Sequence, residues 1–262
     1  MQVKLITKNK EKTHYCFLVK PTDAYLMNAI RRAAISLVPT MAIETVEIRK
    51  NSSLLYDEIL AHRLGLIPLK TDLKHYEVIK KPGDEESLKC TVKFTLKMKG
   101  PKTVYSKDLK SADPAVVPVY DEMPIVKLTK NQEVALEATA ILGYGKEHMK
   151  WSPGIVYYKN KPLVDIKGTP DTEKLKSVLP NDSALKISGT KVTVDEEKLY
   201  TTNYLDAFIG ESVAKGVNIS MVPDEFIFNV ESFGQLSVKD LIVASIDALK
   251  DKINEFNDII TK

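Results

Sequence analysis

Asn28-Ala-Ile-Arg-Arg32, Val38-Pro-Thr-Met-Ala-Ile43 and Asn51-Ser-Ser-Leu-Leu-Tyr-Asp-Glu-Ile-Leu-Ala-His-Arg-Leu-Gly-Leu-Ile-Pro-Leu69 are the densest and least ordinary stretches of the chain. None carries a nucleophile, a metal-ligand spacing or a phosphate-cradling glycine loop. Their grammar is that of structure that joins proteins together.

The first stretch lies on a helix. Pro21-Thr22-Asp23 is a start signal, and Leu26, Ala29, Ile30, Ala33 and Leu37 recur at helical spacing until Pro39 ends the run. Arg31 and Arg32 fall off that stripe and point towards solvent or a partner. Two strands precede the helix, Val3 to Lys8 and Thr13 to Val19, joined by a polar turn. After it come a strand from Ala42 to Ile48 and a short helix from Asp57 to Leu64. Gly65 stands where a left-handed residue would close that helix, with Pro68 just beyond.

Farther along, Val92, Phe94, Leu96 and Met98 alternate with Lys93, Thr95, Lys97 and Lys99, the period-two pattern of a half-exposed strand. Val134, Leu136, Ala138, Ala140 and Leu142 repeat it, closed by Gly143 and Gly145. Strands and turns dominate residues 41–162. From 163 to 222 the order changes to strand (Leu163–Ile166), helix (Thr172–Val178), two strands (Ala184–Ile187, Lys191–Val194), helix (Asn203–Ala214) and strand (Val217–Met221). This βαββαβ order is ferredoxin-like. A strand from Glu225 to Glu231 follows. Ser237 and Asp240 then form a capping-box-like start to a helix that runs to Ile260. On it Ile242, Ile246, Leu249, Ile253, Phe256 and Ile260 are spaced 4-3-4-3-4, the seam of a coiled-coil type contact, with Leu241 and Ile259 widening it.

Composition narrows the function classes. The 262 residues are 44% hydrophobic and 28% charged with a net charge of +3, ordinary for a globular protein and too weakly basic to argue for nucleic-acid binding. Cys16 and Cys90, the chain's 2 cysteines, give no disulfide framework and read as reduced thiols. No apolar run suits a membrane span, and Met1-Gln2-Val3-Lys4 opens no signal peptide, so the expected compartment is the cytoplasm and no membrane partner is expected. His148 beside Lys150 and Trp151 has no carboxylate or nucleophile with it, and His14 with Cys16 makes only half a metal site. Catalytic and metal residues are accordingly expected to be none.

The motifs Asn28–Arg32, Val38–Ile43 and Asp57–Leu69, with Asp113-Pro-Ala-Val-Val-Pro-Val-Tyr120, Pro124-Ile-Val-Lys-Leu128, Gly143-Tyr-Gly-Lys-Glu-His-Met-Lys-Trp-Ser-Pro153 and Phe228-Asn-Val-Glu-Ser-Phe-Gly234, closely resemble one family. It comprises the D subunits of archaeal RNA polymerase, the third-largest subunit of eukaryotic RNA polymerase II and, more distantly, the N-terminal domain of the bacterial α subunit. The resemblance covers nearly the whole chain. It implies an α+β fold in which a discontinuous dimerisation domain, residues 1–40 plus 223–262, carries two insertions: a β-rich domain at 41–162 and a ferredoxin-like domain at 163–222.

The resemblance also implies a non-catalytic assembly subunit of DNA-dependent RNA polymerase. The terminal-helix seam would pair with the small subunit L. Arg31 and Arg32 would dock the second-largest catalytic subunit, with Lys146, His148, Lys150 and Trp151 forming a second docking surface and His62 and Arg63 a third. Subunits N and P would join the pair, and DNA would be met only through the complex. Many archaeal relatives hold an iron–sulfur cluster in the third domain on closely spaced cysteines. The corresponding stretch here, Asp195 to Asp206, has none, and Cys90 stands alone where eukaryotic relatives have a zinc loop. The expectation is a ferredoxin-like domain without a cofactor. The alternatives are a free ferredoxin-like redox protein, against which the missing cysteines count, and a free nucleic-acid-binding module, which lacks a basic, aromatic-interleaved stripe.

Overall fold

The computed structural model describes residues 1–79, 87, 89–180, 182–189, 191–209 and 212–261. In chain order, β1 (Gln2–Lys8) and β2 (His14–Lys20) lead into α1 (Ala24–Ser36), β3 (Pro39–Asn51) and α2 (Asp57–Gly65). Then come β4 (Thr91–Lys99), β5 (Lys102–Tyr105), β6 (Lys110–Ser111), β7 (Pro124–Leu128), β8 (Glu133–Tyr144) and β9 (Gly154–Ile166). The chain continues through α3 (Thr172–Val178), β10 (Leu185–Ser188), β11 (Lys191–Val194), α4 (Glu196–Thr201), β12 (Ser212–Ala214) and β13 (Val217–Ser232), and closes with α5 (Val238–Ile260).

By internal contacts these elements form two compact units, one of Met1–Arg31 with Val156–Glu231, the other of Arg32–Ile155 with Ser232–Lys262. In the second unit the antiparallel order β3-β8-β4-β6 sets Met41 opposite Leu142 and Phe94 opposite Ala138. Successive side chains of a strand point to opposite faces, so one face carries Phe94, Leu96, Leu136 and Ala138 into the core and the other carries Lys93, Lys97 and Glu137 outward. Leu60 and Leu64 of α2, both fully buried, join that same core. In the first unit the order is β1-β2-β13-β12 with β9 also on β13, and Cys16, Leu18, Ile219 and Ile227 share a core with Leu175 of α3 and Leu199 of α4.

Several sequence expectations are corrected. Pro39 not only ends the helix run but opens β3, its fixed φ being as suited to a strand start as it is hostile to a helix interior. Of the expected stripe on α1, Ala33 is buried and Ala29, Ile30 and Leu37 are half-buried, but Leu26 is 42% exposed and Met27 is buried beside it. Gly65 is the last helical residue of α2, and the cap is Leu66 in the right-handed region, so no left-handed glycine closes this helix. Among the described residues no α-helix lies in Asn203–Ala214. The second helix of the region is the short α4, followed by a 3-10 turn at Asp206–Phe208 and the strand β12.

The strands predicted at 217–221 and 225–231 are one continuous β13, and that predicted at 163–166 is the end of β9. The expected boundaries 162/163 and 222/223 therefore fall inside strands. Pro223, which has no N–H to give, is accommodated where Asn160 Nδ2 donates to the carbonyls of Val222 at 3.1 Å and Pro223 at 3.3 Å. Among the described residues β10 and β11 pair only with each other, separate from the sheet that holds β9 and β13, so the ferredoxin-like likeness here is one of element order. The broad reading, a mixed α and β chain dominated by sheets, stands.

Candidate assembly surfaces

The terminal helix is built to start firmly and end bare. Ser237 Oγ accepts the backbone N–H of Asp240 at 3.1 Å and bonds the Asp240 carboxylate at 2.6 Å, satisfying a donor that a helix start otherwise leaves open. Val238, Leu241 and Ser245 are buried, so the first two turns are anchored. Every described residue from 251 onward is exposed. Of the predicted seam, Ile242 and Leu249 are half-buried, whereas Ile246, Ile253, Phe256 and Ile260 are 38%, 59%, 63% and 64% exposed. Ile259 joins them at 74%, while Leu241 turns inward.

Arg31 is half-buried and tied within its own helix, its Nε and Nη2 donating to Asn28 Oδ1 at 3.2 and 2.9 Å. A guanidinium has five donors, so most remain available. Its neighbour Arg32 is exposed.

The loop of Lys146, His148, Lys150 and Trp151 does two different things. Trp151 is 6% exposed and faces inward; its carbonyl accepts the Thr40 hydroxyl at 2.7 Å, and its ring lies against Gly143. A Cβ on Gly143 would come within 2.4 Å of that ring, so glycine is what makes room for it. Lys150 is turned in as well: Nζ pairs with the Glu44 carboxylate, donates to the Ile43 carbonyl at 3.1 Å and stands 4.4 Å over the indole. Lys146, His148 and Met149 are the exposed part, His148 Nδ1 accepting the Lys150 N–H at 3.0 Å. On α2, His62 is exposed, and Arg63 spends its Nε and Nη2 on the carbonyls of Ile125, at 2.8 Å, and Pro124. Arg63 thus fastens α2 to β7 and keeps its remaining donors at the surface.

Sequence reasoning missed exposed apolar residues on and beside the same helix: Leu54 and Tyr56 before it, Ile59 within it and Leu66 at its cap are 81%, 80%, 48% and 48% exposed. The signal was available, since α2 carries more apolar residues than the single inward row of Leu60 and Leu64 requires.

The stretch Asp195–Asp206 does not fit an iron–sulfur cluster, whose irons need thiolates. Several of its side chains are already used. Leu199, Tyr200 and Leu205 are buried in an apolar core, and Asp195 caps α4 and pairs with Lys186 at 2.7 Å. Lys159 Nζ donates to the Thr202 carbonyl and Asn203 Oδ1, both at 2.9 Å, and pairs with the Asp206 carboxylate at 3.0 Å. Cys16 and Cys90 are each buried, and burial pushes the Cys16 thiol up to about 11, which keeps it protonated and unreactive. Among the described residues no group of three or more His, Cys, Asp or Glu side chains is placed to hold a metal ion.

Comparison with known proteins decides the family. Residues 46–155 match the RNA polymerase Rpb3/RpoA insert domain. The chain is 39% identical to the DNA-directed RNA polymerase subunit Rpo3 of Thermococcus kodakarensis, over 92% of this chain and 91% of that one. It is 37% identical to the Rpo3 subunits of Pyrococcus furiosus, over 98% and 95% of the two chains, and of Methanothermobacter thermautotrophicus, over 95% of each. The chain belongs to the Rpo3 family of RNA polymerase subunits. Its function is that of the family, a subunit of DNA-directed RNA polymerase in transcription, and neither a free redox protein nor a free nucleic-acid module is favoured by such relatives. The β-rich part of the second unit, β3 to β8, lies within the matched insert but for its first residues. No helix of the described residues is long and apolar enough to cross a membrane.

Proposed function

We propose that this chain nucleates a cytoplasmic archaeal RNA polymerase by pairing, through α5, with the small subunit L, and that it then docks the second-largest catalytic subunit and the small subunits N and P. The observation that carries the reading is the bare second half of α5. A 23-residue helix that buries only Val238, Leu241 and Ser245 while presenting Ile253, Phe256, Ile259 and Ile260 to water is incomplete as a free surface. Covering four such side chains at about 1.5–3 kcal/mol each supplies on the order of 10 kcal/mol before the cost of association.

Arg32 and the free donors of Arg31 are the proposed contacts to the large subunit, supplemented by Lys146 and His148 and by His62 and Arg63. Lys150 and Trp151 act behind that surface, holding the loop. The reading includes a three-part layout of dimerisation domain (1–40 plus 223–262), β-rich insert (41–162) and cluster-free, ferredoxin-like insert (163–222). The chain brings no catalytic residue of its own to nucleotidyl transfer, and DNA is met only through the assembled enzyme. Affinity purification of the tagged chain from its own cells tests this: the account expects the whole polymerase, and a stable solitary monomer would contradict it. The cofactor-free reading expects no iron in the isolated chain, and stoichiometric iron with a broad visible absorption band sinks it.

A further inference from the structure

We infer that the Lys159 ammonium is a cation built into the chain that closes the stretch Thr202–Asp206 from within, so that this part of the fold holds together without a metal group and is indifferent to iron and oxidants. This rests on the cofactor-free reading above and says what holds the region instead. An ammonium has three N–H donors and no acceptor. Lys159 Nζ meets three partners: the Thr202 carbonyl and Asn203 Oδ1, both at 2.9 Å, and the Asp206 carboxylate, whose oxygens lie at 3.2 and 3.0 Å. Every donor is therefore spent, and the lysine side chain is only 14% exposed.

The charges agree with that count. Two of the partners are neutral and one is a carboxylate, so a single positive charge balances the set. A divalent ion on the same oxygens would keep an excess charge and fall short of the roughly six to eight oxygens that calcium takes. An iron–sulfur cluster would find no thiolate among them. Lys159 is also tethered in β9, and a cation carried by the chain can neither dissociate nor be depleted.

What the ammonium gathers is the turn that follows α4. Thr202 caps that helix, whose last carbonyls have no partner within it. Between Asn203 and Asp206 stands Leu205, 2% exposed and part of the core that includes Cys16, Leu199 and Tyr200. Holding residues 202, 203 and 206 on one ammonium turns the chain so that Leu205 faces inward. The stem of Lys159 carries the charge over the same core: burial raises the Cys16 thiol, and the nearby Lys159 charge opposes it.

The test is amide hydrogen exchange on the purified full-length chain. Lys159→Met keeps the stem and removes the charge, and exchange across Thr202–Ile209 is expected to rise roughly tenfold while β4 and β8 keep their protection. In Lys159→Ala, added propylammonium is expected to restore protection, whereas tetramethylammonium, which has the charge but no N–H, is not. Chelator and oxidant are expected to leave the native pattern unchanged. Should Lys159→Met fail to fold, Asp206→Asn, which leaves the two neutral partners in place, is expected to give a smaller rise in the same segment. Native exchange in whichever of these variants folds, or protection restored by neither ion or by both alike, overturns the staple and leaves the cofactor-free reading standing. Stoichiometric iron whose removal loosens the segment overturns both.

Discussion

Gly143 and Trp151 show how one residue's absence of a side chain fixes another's place. The indole occupies the space a Cβ at 143 would need, so Gly143→Ala forces the ring or the strand to move. Overpacking of this kind costs about 1–3 kcal/mol. Urea unfolding of the variant is expected to show that loss, and an unchanged midpoint would mean that the ring has free room. The ion pair of Lys161 and Glu225, at 2.7 Å, makes a second residue-scale statement. The ammonium holds the Glu225 carboxyl below its ordinary range, with partial burial opposing it. A depressed carboxylate contributes stability that is complete above its unfolded pKa and is lost as pH falls through the folded one. The gap in melting temperature between the native chain and Glu225→Gln is therefore widest at neutral pH. It closes below the ordinary carboxylate range, about pH 4. A gap that widens on acidification contradicts the pairing.

At the scale of elements, what was legible in the sequence was local and periodic. β4 and β8 were readable because alternation of Val92, Phe94 and Leu96 with lysines is itself the record of one buried face. The start of α5 was readable because a cap is a contact between neighbours, Ser237 and Asp240. What was not legible depended on distant partners. Leu205, Phe208 and Ile209 have helical spacing, yet Lys159, more than forty residues upstream, pins the Thr202 carbonyl, Asn203 and Asp206 into a loop, and Ile209 bridges to Ile219. Trp151 was misjudged as a surface anchor for a similar reason, since its pocket is made by Gly143 and Thr40 on two strands. The seam on α5 was readable as apolar, but only its exposure separates a partner contact from an internal one. Because Phe256 is 63% exposed, Phe256→Asp is expected to change the melting temperature of the free chain by no more than about 0.5 kcal/mol equivalent. A large loss would place the residue inside its own fold.

On the scale of the whole molecule, the proposed function rests on a distribution of unfinished surfaces. The titratable clusters are engaged in holding loops, as with Lys159 and Lys150, and the buried Cys16 thiol is silent. On α5 the apolar side chains Val243, Ile246, Ile253, Phe256, Ile259 and Ile260 remain in water, as expected of an incomplete surface in a subunit of a larger enzyme. The most direct measurement is affinity purification of the tagged chain beside the same chain carrying Phe256→Asp, each weighed by its co-purifying polymerase subunits. The account predicts that the native chain carries the whole polymerase and that the folded variant comes out alone, because pairing would bury an uncompensated charge. A variant that carries the polymerase as fully as the native chain does would contradict the claim that α5 is the assembly seam.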